Sequence, residues 1–438
     1  MNTSEKYKLA DLVVAHAIKN GAQQASVNIY ENRSNNIEIR DQKIDSLKES
    51  NQSGLSISLY VDKKYSSHST NRLKESELLR FVEEAIASTR FLTEDEFRSL
   101  PDPEYYYKEG GINLNTFDAS LDSVDAKTKI NLASMALDEA YKKDDRIISV
   151  SSYYFDSITS SVMVASNGFR GDAGKTNVGL YVTVSMKSET GRPNDYWVES
   201  SLFMEKLKKT DLGKKALERT IRKINPKKIL SGKYSVIIEN RVAGNLLSPI
   251  YSALQGSSLY QKQSFLIGKQ NKPVASALFT AIDDPTIVSG AGSRLFDDEG
   301  LAAVRRPIIE KGVLKDYFID NYYGRKLGMK PNSGSSSNVI FETGPKNLEE
   351  LIGSLKKGVF ITGFIGGNCN GSTGDFSYGI EGFFIQDGKI IHPVNEMNIT
   401  GNMNQFWFNL IELGSDIREN ETIRIPSLLF ENVDLSGI

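Results

Sequence analysis

Two acidic groups, Asp283-Asp284 and Asp297-Asp298-Glu299, lie about fifteen residues apart around a glycine-containing turn. Carboxylates that converge in a pocket can hold a hard cation or share acid and base work. Neighbouring residues of a strand point to opposite faces, so each group can aim only some of its carboxylates at one spot. Asp284-Pro285 also carries turn chemistry, and a polar loop is the simpler reading of both groups.

The stretch Gly366-Gly367-Asn368-Cys369-Asn370-Gly371-Ser372-Thr373-Gly374-Asp375 could cradle an anion. It lacks the Gly-Lys-Ser/Thr ending of a phosphate loop and the glycine spacing of a dinucleotide site. Its cysteine is the chain's only one, which excludes an internal disulfide. Cys369 with His392 could form a nucleophile and base on neighbouring strands, although a lone loop cysteine is more often incidental. The three histidines, His16, His68 and His392, are too far apart to share one helical turn, as a zinc enzyme's helix requires. No Gly-x-Ser-x-Gly elbow supports a serine triad.

The elements that must position these residues belong to a chain of 438 residues, long enough for two or three domains. Lys plus Arg is 53 and Asp plus Glu is 55, so the net charge of −2 gives no global footprint for nucleic acid. No apolar run is long enough for a membrane helix and no signal-peptide core opens the chain. The expectation is a soluble, cytoplasmic protein.

Leu9, Leu12, Val13, His16 and Ala17 make one helical stripe closed by Gly21, and Leu78, Val82, Ala85 and Ile86 a second. A third helix is expected over 124–143 with Ile130, Met135, Leu137 and Tyr141 inward. Short alternating strands are expected at Val27 and Ile29, at Ile37 and Ile39, and from Leu55 to Val61. Residues 93–111, with Tyr105, Tyr106 and Tyr107, read as a surface loop whose tyrosines pack. A basic helix over 212–224, with Lys214, Lys215, Arg219, Arg222 and Lys223 on a solvated face, ends at Asn225-Pro226. That proline suggests a boundary between an N-terminal α+β domain (1–226) and a glycine-rich, sheet-dominated domain (227–438). Val242, Leu246, Ile250 and Leu254 mark an apolar helical face that Pro249 kinks or divides. Lys311-Gly312 and Asp387-Gly388 signal hairpins. The fold class is α+β, with two domains of extended mixed and antiparallel sheets and packed helices.

Several stretches of the second half resemble the TldD/PmbA family, which includes zinc metallopeptidases. They are residues 256–266 (GSSLYQKQSFL), Phe296-Asp297-Asp298-Glu299-Gly300 followed by Arg305-Arg306, and Ile309-Glu310-Lys311-Gly312-Val313-Leu314. Arg325-Lys326-Leu327-Gly328, Thr373-Gly374-Asp375-Phe376-Ser377-Tyr378-Gly379 and Ile399-Thr400-Gly401-Asn402 follow in the family's order. Within that family, the catalytic branch looks like a zinc peptidase, using a His-Glu-x-x-x-His helix and a later cysteine to bind zinc and activate water. Laid on this chain without gaps, the histidines fall on Leu247 and Ser252 and the glutamate on Ser248. The later cysteine falls within residues 418–425, which contain none.

The resemblance is therefore to the PmbA (TldE) branch, which lacks the zinc motif. It implies a subunit with no catalytic residue, metal or cofactor of its own, the zinc residing in a TldD-type partner in a heterodimer. Peptides or unfolded proteins would be the substrates, with Asp297, Asp298, Glu299, Arg305, Arg306, Gly366, Gly367, Asp375 and Ser377 lining or supporting a shared chamber. The alternatives are a metallopeptidase or hydrolase in its own right, through the carboxylates near Asp297 or another metal site, and a stand-alone peptide-binding homodimer. Nucleic acid and membrane are not expected partners.

Overall fold

The computed structural model describes residues 1–108 and 110–438, so position 109 of the tyrosine-rich loop lies outside the described residues. Helix α1 (Thr3–Lys19) begins with a capping box in which Asn2 accepts from the Glu5 amide and Glu5 accepts from that of Asn2. Strands β1 (Gln24–Arg40), β2 (Lys43–Val61) and β3 (Lys64–Thr70) follow, then α2 (Glu75–Thr89) and α3 (Ala126–Asp138). Strands β4 (Ile147–Ala165), β5 (Arg170–Met186) and β6 (Asn194–Ser201) complete an antiparallel sheet in the order β3-β2-β1-β4-β5-β6, and α4 (Leu212–Arg222) packs on it.

The short strands expected near residues 27–29 and 37–39 are one 17-residue strand, β1, and Leu55–Val61 is the far half of the 19-residue β2. The apolar positions cluster because two helix pairs sit side by side on one sheet face. Helices α1 and α2 cover Val27, Ile29, Leu55, Ile57 and Leu59, while α3 and α4 cover Ile37, Ile39, Tyr154 and Leu180. Between the two cores the strands turn polar, and buried lysines are paired there: Lys6 with Glu31 and Lys129 with Asp156, each at 2.7 Å. On α3 the inward stripe is Ala133, Ala136 and Leu137, and Met135, expected inside, is 57% exposed. Small residues let the helix approach the sheet closely, and Met135 lies off that stripe.

The second half opens with β7 (Gly232–Ile238). A broken helix follows: α5 (Asn240–Ala243), a 3₁₀ turn (Gly244–Leu247) and α6 (Ser248–Ala253), with Pro249 in the first turn of α6, where it needs no amide donor. After α7 (Gly256–Tyr260) come β8 (Ala281–Asp283), β9 (Arg306–Glu310), β10 (Val313–Leu314), α8 (Asn321–Leu327) and β11 (Val339–Phe341). Then α9 (Leu348–Gly353) precedes β12 (Lys357–Cys369), β13 (Asp375–Gln386) and β14 (Lys389–Asn402), and α10 (Met403–Phe406) leads to β15 (Leu410–Leu413), β16 (Ile423–Arg424) and β17 (Leu428–Ser436). One sheet runs β10-β9-β8-β11-β16 and another β14-β13-β12-β7-β17-β15. Strand β14 also pairs with β17, closing five strands into a ring. The β7–β12 and β11–β16 pairs are parallel, so both sheets are mixed. The hairpins at Lys311-Gly312 and Asp387-Gly388 have positive φ at both positions, as a two-residue turn between twisted strands requires.

Candidate functional site

The broken helix carries Leu247, Ser248 and Ser252, the positions on which the resemblance sets the zinc-binding motif. Leu247 is 1% exposed and belongs to the main apolar core of the second half. Ser248 and Ser252, four residues apart, share the exposed face. Gly244 lies opposite Ile423, whose Cδ1 would sit 3.9 Å from a Cβ built on that glycine. The helix and residues 418–425, over 160 positions apart in sequence, are thus neighbours in space. Their side chains do not fit zinc. Leu247 has no donor atom, two serine hydroxyls are poor ligands, and no three His, Cys, Asp or Glu side chains converge among the described residues.

A cavity of about 350 Å³ opens where these segments meet, lined by Arg241, Asn245, Arg418, Glu421 and Thr422 together with Tyr196 and Val198 of β6. Arg241 donates to the Tyr196 carbonyl at 3.1 Å and Arg418 to that of Val198 at 3.0 Å. Both guanidiniums stand over the ring of Trp197, at 4.9 and 5.3 Å. The wall offers amide and guanidinium donors beside one carboxylate, a set suited to holding a polar chain.

Beneath this wall lies a buried ionic network. Arg219 forks onto Glu239 at 2.7 and 2.8 Å and reaches Asp195 at 3.1 Å, while Lys223 bridges Asp195 at 2.9 Å and Glu381 at 2.6 Å. The basic helix therefore does not present a uniformly solvated face. Lys214 is exposed, but Arg219 and Lys223, one turn apart, point inward and tie α4 to β13 and to the start of α5. Charge spacing alone resembles that of a surface helix, and the inward turn is set by the apolar residues Leu212, Ala216 and Leu217.

The carboxylate-rich loop is mostly committed to holding the chain together. Asp297 is buried and accepts from the backbone amides of Glu299 and Leu301 at 2.9 and 3.0 Å. Burial pushes its carboxyl up, outweighing those hydrogen bonds. Glu299 accepts from the Asn321 amide at the start of α8. Arg306 is buried, donating to the carbonyls of Asn332 and Ser333 and facing Asp283 at 3.5 Å. Asp298 is exposed, and so is Arg305, which reaches Asp284 at 3.3 Å.

The glycine-rich stretch forms the β12–β13 turn. Gly366, Gly367 and Ser377 are exposed, and Asp375 accepts from Asn402 and Thr373, each at 2.7 Å. Those hydrogen bonds hold the Asp375 carboxyl below its ordinary range. Among the described residues, no hydrogen bond or ion pair joins this turn to the 297–306 loop.

Cys369 and His392 do not form a pair. On β13, Cys369 is opposite Phe376 and His392 opposite Phe384, eight positions apart and so about 25 Å along the strand. Burial, with Asp375 nearby, raises the thiol, and the imidazole stacks on Phe384. Of the tyrosines, Tyr106 is buried against Phe169 and donates to Asn167 at 2.8 Å.

Three domain families match the chain in order: PmbA/TldA metallopeptidase domain 1 over residues 25–89, the central domain over 119–224 and the C-terminal domain over 231–437. A Haemophilus influenzae protein named Metalloprotease PmbA homolog is 29% identical over 408 residues, spanning 92% of this chain and 89% of its own length. The Escherichia coli O157:H7 Metalloprotease PmbA is 27% identical over 387 residues, 87% and 85% of the two chains. A Bacteroides thetaiotaomicron crystal structure, described as a candidate modulator of DNA gyrase, is 47% identical with a TM-score of 0.98 over the whole of both chains. TldE from Thermococcus kodakarensis shares the fold, with a TM-score of 0.88 at 19% identity over 98% of this chain and all of its own.

Proposed function

The chain belongs to the PmbA/TldD metallopeptidase family, and on that premise we propose that it is a PmbA/TldE-like subunit of a two-component peptidase. The catalytic zinc belongs to a TldD-type partner, and peptides or unfolded proteins are the substrates. One observation carries the reading. The two segments that supply zinc ligands in the catalytic branch lie side by side here, yet one turns Leu247 into the core and the other has no cysteine. A family scaffold that keeps this juxtaposition and lacks both donor sets is suited to holding substrate beside another subunit's metal. Arg241, Asn245 and Arg418 supply donors for peptide carbonyls and carboxylates at that wall. Of the chamber residues, Asp298, Arg305, Gly366, Gly367, Asp375 and Ser377 are exposed enough to face a shared interior. Asp297 and Arg306 support it from beneath, as does Glu299, which is only partly exposed.

Affinity capture of the full chain from its native host, read by mass spectrometry, tests this. A family member bearing His-Glu-x-x-x-His should co-purify at near-equal stoichiometry, and only the pair should hydrolyse unstructured peptides. In that pair Ser248→Ala and Ser252→Ala should leave turnover unchanged and shift stability by no more than about 0.5 kcal/mol, as exposed positions do. Recovery of the chain alone or only with itself would overturn the subunit reading, and so would metal-dependent hydrolysis by the isolated chain.

A further inference from the structure

A second cavity, of about 480 Å³, lies away from the broken helix, where the N-terminal sheet meets the loop that precedes Asp297. Lys175 of β5 stands three positions from Val178, and so projects from the sheet face opposite the helices. Arg294 enters the same cavity from the loop, and Leu114, Leu295 and Phe296 form an apolar wall. Lys175 donates to the Ala291 carbonyl, which leaves most of its donor capacity unused. Arg294 spends its two terminal nitrogens on Ser333 and Ser335, while its Nε is buried with no hydrogen-bond partner.

Neither cation forms an ion pair with a carboxylate among the described residues. Asp172 on the cavity rim is exposed and accepts from the Tyr7 hydroxyl. Asp297 senses the Arg294 charge, but its carboxyl is held by backbone amides. Burial lowers the Lys175 ammonium, and the like charge of Arg294 adds to it. Lys175 and Arg294 are both half-buried, and a cavity of this size with an apolar wall and charged groups on its lining is ordinarily a ligand site.

We propose that this cavity binds a carboxylate carried on an apolar body, with the C-terminal end of a short peptide as its occupant, the carboxylate lying between Lys175 and Arg294 and the side chain against Leu114, Leu295 and Phe296. The site is separate from the broken helix and does not depend on a zinc-bearing partner. Calorimetric titration of the full chain with N-acetyl-leucyl-phenylalanine should give saturable binding, and the corresponding C-terminal amide should bind at least tenfold more weakly. Lys175→Met should weaken the acid at least tenfold, and Lys175→Arg should restore most of the loss, with melting temperature measured on each variant.

Should the Met variant not fold, protection of Lys175 in the wild-type chain from acetic anhydride, read by peptide mass spectrometry, gives the same answer. The acid should protect and the amide should not. Phenylacetate distinguishes the source. If it binds as tightly as the peptide acid, the carboxylate site stands but the peptide occupant is overturned in favour of a free acid. Equal binding of acid and amide, no saturable binding of any acid, or equal affinity in a folded Lys175→Met variant overturns the site itself.

Discussion

Replacing Arg219 by alanine should destabilise the chain by about 3–5 kcal/mol, the range for removing one partner of a buried ion pair. Its guanidinium neutralises Glu239 through two parallel hydrogen bonds and also reaches Asp195, and those carboxylates are only 7% and 4% exposed. Without it Glu239 loses its only ion-pair partner among the described residues, and Asp195 keeps Lys223 at 2.9 Å and a distant Arg241 at 3.9 Å. Lysine should rescue only part of the loss, because an ammonium cannot reproduce the fork. Urea unfolding of wild type, Arg219→Ala, Arg219→Lys and the triple Arg219→Met/Asp195→Asn/Glu239→Gln decides the matter. The triple variant should recover part of the stability that Arg219→Ala loses, since it removes the stranded charge of Glu239 while Lys223 keeps Glu381 and Arg241 gives up Asp195. A loss below about 1 kcal/mol in Arg219→Ala would mean that water reaches the network and that α4 is held by its apolar face alone.

The same network sets an acid limit. Burial alone would raise the Asp195 carboxyl, but Lys223 and Arg219 outweigh it and the group lies below its ordinary 3.8. A depressed carboxyl contributes stability that is complete above the unfolded value and is lost as pH falls through the folded one. The contribution of Asp195 should therefore persist through neutral pH and fade only in acid below about pH 4.

Local patterns in the sequence were enough for the hairpins, the first two helices, the division of the helix at Pro249 and the α+β class. Each depends on spacing within a few residues, as with the positive-φ pair Asp387-Gly388. Strand length was not legible, because the polar middle of β1 looks like a loop until two separate helix pairs are seen to cover its ends. Met135 was misplaced because alanines, weak as hydrophobic signals, define the inward face of α3. The inward turn of Arg219 and Lys223 was missed for a related reason: their partners Glu239 and Glu381 lie 20 and 158 residues away. The cavities depend on still longer closures. Arg241 and Arg418, like Lys175 and Arg294, carry no local mark that they share a wall. The family motifs point to the broken helix and residues 418–425, and the fold supplies their adjacency, with Gly244 and Ile423 lining one cavity.

The chain should lose stability through Glu299 as pH rises from 4 to 8, and Glu299→Gln should remove that share of the loss. Burial pushes the Glu299 carboxyl from 4.5 up to about 7, and Asp297 and Asp320 add to the rise against the Asn321 amide and Arg98. A group whose folded value is raised costs nothing below its unfolded value, where it is protonated in both states. As pH rises the unfolded chain ionises first, so stability falls until the folded value is passed. The interval from 4.5 to about 7 corresponds to a loss of up to about 3 kcal/mol. Glutamine keeps an oxygen that can accept from the Asn321 amide, at present 2.8 Å from Glu299 Oε2, and it carries no charge at any of these pH values. The variant should match wild type at pH 4 and exceed it at pH 8, measured as the difference in denaturant midpoints multiplied by a common slope. Because the turn at Asp297 also joins Tyr106 to Leu301 and Tyr107 to Gly300, ionisation of Glu299 should loosen the tyrosine-rich segment before the sheets, and amide exchange there should rise first. Parallel pH profiles for wild type and Glu299→Gln would show that Glu299 is solvated in the folded chain and that its carboxylate ionises there as freely as in the unfolded one.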